Sequence, residues 1–190
     1  MNKNNILINH IESSILEFGQ KFINPKYRHC FFGSEGSVKC YIYHLIAKNE
    51  EFLKDIHYTN DDNEKIGTWR LHAELPTFEK INSKTGRFDI CIINPDGEAK
   101  DNLACIEIEW VEKIQNSYEE LKSTLDKLSH PENEVENGYI IILNDHDGFM
   151  PVDIENLKNL KEKYNQIKFF VFDAVKNKVT CDSELTKIQN

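Results

Sequence analysis

Two runs confine the fold of this chain more tightly than anything else in it: Gly86-Arg87-Phe88-Asp89-Ile90-Cys91-Ile92-Ile93 and Leu103-Ala104-Cys105-Ile106-Glu107-Ile108-Glu109-Trp110-Val111. Successive side chains of a strand point to opposite faces, and in both runs both faces are largely apolar. Such strands belong inside a sheet covered on both sides, the arrangement of an α/β domain. Pro95-Asp96-Gly97 between them supplies turn chemistry, so the runs are expected as antiparallel neighbours.

Near the N-terminus Ile11, Ile15, Phe18 and Phe22 recur at helical spacing up to Asn24-Pro25. A second helix is expected from Val38, Tyr41 and Leu45 through Phe52 to Ile56, with Ser34 or Ser37 as its N-cap and the polar tract from Thr59 to Lys65 as its end. From Arg70 the hydrophobic period falls to two, which predicts strands over 68–77, 87–94 and 103–111, an antiparallel meander. Tyr118, Leu121, Leu125 and Leu128 then mark a helix ended by His130-Pro131, and Tyr139 to Leu143 a buried strand. A last helix carries Ile154, Leu157, Leu160 and Tyr164 after Asp153, followed by a strand from Ile167 to Phe172. The reading is a single domain over 1–190: two N-terminal helices within 1–60, then a mixed sheet over 65–175 built as a three-strand meander followed by helix, strand, helix, strand and flanked by helices.

A chain of 190 residues can bury a core without disulfides. Its five cysteines are odd in number and form no C-x-x-C pair, so they read as reduced, packed thiols. No stretch approaches the roughly 20 consecutive apolar residues of a membrane span, and the N-terminus lacks a basic-then-apolar leader pattern. No membrane association and a cytoplasmic address are expected. The net charge of −9 argues against a protein that grips nucleic acid over its whole surface. Charge is uneven, however: Lys21, Lys26, Arg28, Lys39 and Lys48 face one acid, Glu35, within 21–48, a local +4 that makes this the candidate phosphate-facing segment.

The acids of the two apolar strands carry the chemistry. Strict alternation groups Asp89, Cys91 and Ile93 on one face, and Leu103, Cys105, Glu107, Glu109 and Val111 on the matching face of the next strand. A hairpin centred near Glu98 sets Ile93 opposite Leu103, Cys91 opposite Cys105, and Asp89 opposite Glu107. Facing carboxylates in an apolar setting are costly unless something positive neutralises them. Hard oxygen donors with no Cys or His pattern suit Mg²⁺, with Mn²⁺ as a substitute. Glu74, grouped by alternation with Arg70 and His72, is a further carboxylate if the preceding hairpin brings it beside Asp89. Two to four carboxylates around one or two ions can activate water and hold a phosphodiester.

Asp89, a spacer crossing one hairpin, then Glu107-Ile108-Glu109, with Glu74 upstream and a helix soon after, resembles the PD-(D/E)xK nuclease superfamily. The resemblance covers roughly residues 65 to 145. It implies a restriction-endonuclease-like core and a Mg²⁺-dependent endonuclease acting on DNA rather than RNA, in restriction, phage defence or DNA processing. By resemblance, Asp89 and Glu107 are metal ligands, Glu109 orients or deprotonates the attacking water, and Glu74 assists at the metal. The superfamily usually has Lys where this chain has Glu109, although some restriction endonucleases use Glu-x-Glu, and Arg87-Phe88-Asp89 lacks the usual proline. Lys113, at the start of the following helix, is a candidate for the positive group.

Cutting two strands favours a homodimer, and the lack of room for a recognition domain otherwise calls for a targeting partner. Two other readings stay open: a non-catalytic nucleic-acid- or protein-binding module in which Glu109 marks loss of the lysine, and a metal-dependent hydrolase of a small phosphoester or nucleotide. His72 and Tyr118 read as structural residues, and Asp145-His146-Asp147-Gly148 lacks the remaining ligands of a calcium loop.

Overall fold

The computed structural model describes residues 3–28, 30–31, 34–59, 65–81, 84–94, 102–110, 118–145 and 154–185. Helix α1, Lys3–Ile23, buries Ile11, Ile15, Phe18 and Phe22 along one stripe and ends before Pro25, which opens the short α2, Pro25–Arg28. Helix α3, Glu35–Ala47, is capped by Ser34, whose backbone is extended and whose hydroxyl accepts from the Ser37 N–H at 3.2 Å. It buries Val38, Ile42, Leu45 and Ile46.

The expected continuation of this helix through Phe52 to Ile56 does not occur. Asn49 accepts from the Glu51 N–H and starts a 3₁₀ turn, Glu50–Leu53, that turns Phe52 into the core. A side-chain acceptor of this kind offers the backbone an alternative to the helix. Ile56 lies in strand β1, Asp55–Thr59, paired antiparallel with β2, Lys65–Trp69. The β-branched and aromatic residues Ile56, Tyr58 and Thr59 favour that extended state. The segment 1–60 is therefore not wholly helical, and the strand expected over 68–77 is divided at Arg70, where the chain bends.

The main sheet has six strands in the order β3-β4-β5-β6-β7-β8. Strands β3, Leu71–Ile81, β4, Lys84–Ile93, and β5, Asn102–Trp110, form the antiparallel meander. Strands β6, Gly138–Asn144, and β7, Ile167–Asp173, continue it in parallel with β5. Parallel neighbours need a crossover, which α4, Tyr118–Ser129, and α5, Ile154–Lys163, provide. Strand β8, Lys178–Cys181, pairs antiparallel with β7 and leads into α6, Asp182–Leu185; it is an element the sequence reading lacks. The chain is thus a mixed α/β fold with a mixed sheet flanked by helices. Among the described residues no helix is long and apolar enough to cross a membrane.

Each face of the sheet has its own core. Helices α1 and α3 pack on Ile90, Ile92, Ile106, Ile108, Ile141 and Phe172. Helices α4 and α5 pack on Phe88, Cys91, Cys105, Ile140, Ile142 and Phe169. Full burial of an apolar side chain of this size contributes roughly 1.5–3 kcal/mol, so these two layers hold β4 and β5 from both sides. On the first face a Cβ at Gly19 would lie 2.0 Å from the Phe172 ring, which makes glycine the residue that lets α1 approach β7.

Candidate active site

Strands β4 and β5 pair in the expected register where it bears on the acids: Cys91 faces Cys105 and Ile90 faces Ile106. The buried Cys91 and Cys105 sulfurs are 3.1 Å apart as thiols, and burial beside Cys91 pushes the Cys105 thiol well up. At the far end the register shifts, and Ile93 pairs with Asn102 rather than with Leu103. Strict alternation also fails at two points. Phe88 packs with Cys91 on the α4 face, and Leu103 packs with Ala104 on the α1 face. The first break lies opposite Glu74, whose left-handed backbone (φ 58) interrupts the pleat between the Ala73–Ile90 and Leu75–Phe88 pairs. A non-glycine residue held there costs on the order of 1 kcal/mol.

Asp89 is buried just beyond the Ile90–Ile106 pair of β4 and β5, and its Oδ2 accepts from the Ile108 N–H at 2.8 Å. Its Oδ1 lies 2.7 Å from the Lys39 Nζ of α3. The same ammonium is 3.0 Å from Glu35 and 2.5 Å from Glu74. Glu74 is therefore brought beside Asp89, as the hairpin argument requires, with a lysine between them. Burial raises the Asp89 carboxyl above its ordinary value, against the pull of Lys39 and the Ile108 N–H. Burial opposes the charge on Lys39, but its bonds to Asp89, Glu74 and Glu35 outweigh this and raise its pKa.

Glu107 faces the other layer. It is 4% exposed, and its Oε1 lies 2.7 Å from the Lys127 Nζ of α4. That ammonium also donates to the Arg87 carbonyl at 2.7 Å and sits 5.7 Å from the Phe88 ring centre. Oε1 is paired by charge with this ammonium and, among the described residues, makes no hydrogen bond of good geometry. Burial pushes the Glu107 pKa up to about 8; Lys127 opposes this, and the Asp89 and Glu109 charges add to it. Glu109 is half-buried and accepts from the Thr124 hydroxyl at 2.8 Å.

The acids are brought near one another, but Lys39 of α3 holds Asp89 and Glu74 while Lys127 of α4 holds Glu107, so they turn to opposite layers rather than share the one face that alternation predicts. Among the described residues no group of three His, Cys, Asp or Glu side chains is placed to hold a metal ion. The donors are hard carboxylate oxygens of the kind a divalent ion takes, but at Asp89 and Glu107 a lysine ammonium lies against them. Lys113 lies outside the described residues, as do residues 146–148 of the Asp145-His146-Asp147-Gly148 run.

The basic segment is largely engaged within the protein. Lys39 turns to the acids, and Lys21 and Lys48 each lie 3.4 Å from Glu17. Lys26 is exposed beside the Tyr27 ring, and Arg28 closes α2. His72 contacts the Trp69 carbonyl at 2.6 Å, consistent with a structural role. Lys127 and Thr124 are the residues that sequence reasoning missed. Their signal was positional: both flank the Leu121, Leu125, Leu128 stripe of the crossover helix that follows the acidic strand.

The chain matches no protein-family model, no curated protein and no solved structure.

Proposed function

We propose that this chain is a metal-dependent nuclease that hydrolyses phosphodiester bonds, of DNA in preference to RNA, on a restriction-endonuclease-like core. The observation that carries the reading is Glu107: a carboxylate buried in an apolar layer, paired with Lys127 and with the Asp89 charge acting on it. A buried carboxylate is costly even when paired, and a site that retains one beside further acids is a candidate for function. The meander, crossover helix and parallel strand around it support the finer fold assignment.

In this reading Asp89 and Glu107 hold Mg²⁺ or Mn²⁺, with Glu74 assisting. The ion supplies charge stabilisation at the phosphate and a more acidic water. With an ion bound, Lys39 and Lys127 would leave the carboxylates they now neutralise and become available to the developing phosphate charge. Glu109, which accepts from Thr124, would take the proton from water. Purified protein incubated with supercoiled DNA should cut it with Mg²⁺ or Mn²⁺ and not with chelator. Glu107→Ala and Asp89→Ala should each abolish cleavage. Cleavage that survives Glu107→Ala rejects the site.

The lysine pairing itself favours a second reading, a non-catalytic module in which Lys39 and Lys127 permanently neutralise the acids. Nucleic-acid binding that needs no divalent ion and is kept or improved by Asp89→Ala, with no cleavage under any condition, would select it.

A further inference from the structure

A second concave site lies on another side of α3, in a cavity of about 570 Å³ that shares no lining residue with the acids. Lys21 from the last turn of α1, Tyr27 from α2, Phe31, and Cys40, Tyr41 and His44 from α3 line it. The volume is that of a small-molecule pocket. Its walls are aromatic. Phe31 packs edge-on against Tyr41 at 5.3 Å, and His44 lies tilted to Tyr41 at 6.4 Å. Tyr27 is 40% exposed at the mouth.

The positive charge at this cavity is set against rings. Lys21 donates to the Tyr41 hydroxyl and sits 5.1 Å from its ring centre, and Lys26 sits 5.3 Å from that of Tyr27. Aromatic walls with ammonium groups at the rim match a planar base joined to phosphates. The chain carries −9 overall; Lys21, which also lies 3.4 Å from Glu17, and the exposed Lys26 beside Tyr27 make this mouth a local exception to that charge.

We infer that this cavity is a nucleobase pocket that takes an unpaired base of single-stranded nucleic acid, with Lys21 and Lys26 on the flanking phosphates. The inference rests on reading the chain as one that acts on nucleic acid, and it adds the substrate class: strands with unstacked bases. Tyr27 supplies a stacking face at the entrance, and Tyr41 with Phe31 the inner wall.

Fluorescence anisotropy of the full chain in chelator, where no cleavage proceeds, tests it with labelled mixed-sequence oligonucleotides. The single strand should bind more tightly than the duplex or an otherwise identical abasic strand. Tyr27→Ala removes an exposed ring, and it should weaken single-strand binding about tenfold while leaving abasic binding unchanged. Lys21→Gln should reduce the salt dependence of binding by about one phosphate contact. Equal binding of wild type and Tyr27→Ala, or an abasic strand that binds as well as the intact one, overturns the pocket. Mg²⁺-dependent cleavage alongside that result would leave the nuclease reading standing. Base-dependent binding without any cleavage would retain the pocket and reject the nuclease.

Discussion

The two faces of the central sheet are packed by different physics. On the α1 and α3 side the core is a continuous layer of aliphatic and aromatic side chains, close enough that Gly19 touches the Phe172 ring, and Lys39 of α3 pairs with the buried Asp89 on this side. On the α4 and α5 side the core has the same apolar base, but it also takes in Glu107 and receives Lys127 at its margin. An apolar contact such as that of Gly19 with Phe172 is held by shape: it loses stability through overlap or cavities and carries no pH dependence of its own. A layer that encloses a carboxylate has a stability tied to the protonation state of that group. The comparison separates what the sheet needs in order to fold from what it retains at a cost.

The largest effect expected on this comparison is Gly19→Ala. Its methyl group would overlap the Phe172 ring, and urea unfolding should show a loss of about 3 kcal/mol that is the same at every pH. Lys127→Met should behave differently. At pH 9, where wild-type Glu107 is ionised, the variant must either bury that charge without its counter-ion or take up a proton, and should lose about 2 kcal/mol. At pH 6 the protonated acid needs no counter-ion, and the loss should fall below half of that value. Equal losses at the two pH values would break the contrast.

Glu107→Gln sharpens it. The folded protein holds this proton up to about pH 8, whereas the ordinary carboxyl value is 4.5. Between those values the folded state binds more protons than the unfolded one, so wild-type stability should be full below the window and fall as pH rises through it. The glutamine variant should flatten that fall, as read from unfolding midpoints across the window. The smallest effect belongs to Ser34→Ala on the α1 and α3 side, which removes the α3 cap and should cost about 1 kcal/mol regardless of pH.

Much of this arrangement was legible in the sequence. The apolar runs of β4 and β5 announced a sheet buried on both sides, and matching acid to acid gave the Cys91–Cys105 register. The stripes of α1, α4 and α5 were readable because long amphipathic helices repeat their signal. What was not legible depends on backbone irregularity and on contacts distant in sequence. The left-handed Glu74 opposite Asp89 breaks the pleat, so alternation assigns Phe88 to the wrong layer. Lys39 read as a phosphate-facing residue because the segment 21–48 is basic, yet its ammonium is claimed by acids 35 and 50 positions away, at Glu74 and Asp89, and by Glu35 one turn earlier. The β1–β2 hairpin was hidden behind Phe52 and Ile56, which continue a helical spacing after the helix itself has ended at Ala47.

The central claim is that Asp89 and Glu107, reached by lysines from opposite layers, together accept a divalent cation. Titration of the purified chain with Mn²⁺, followed by electron paramagnetic resonance of the unbound ion, tests it without reference to any substrate. The account predicts a bound ion in the wild type that is lost in both Asp89→Asn and Glu107→Gln. A wild type that binds no Mn²⁺, or binding that persists in either variant, would contradict it.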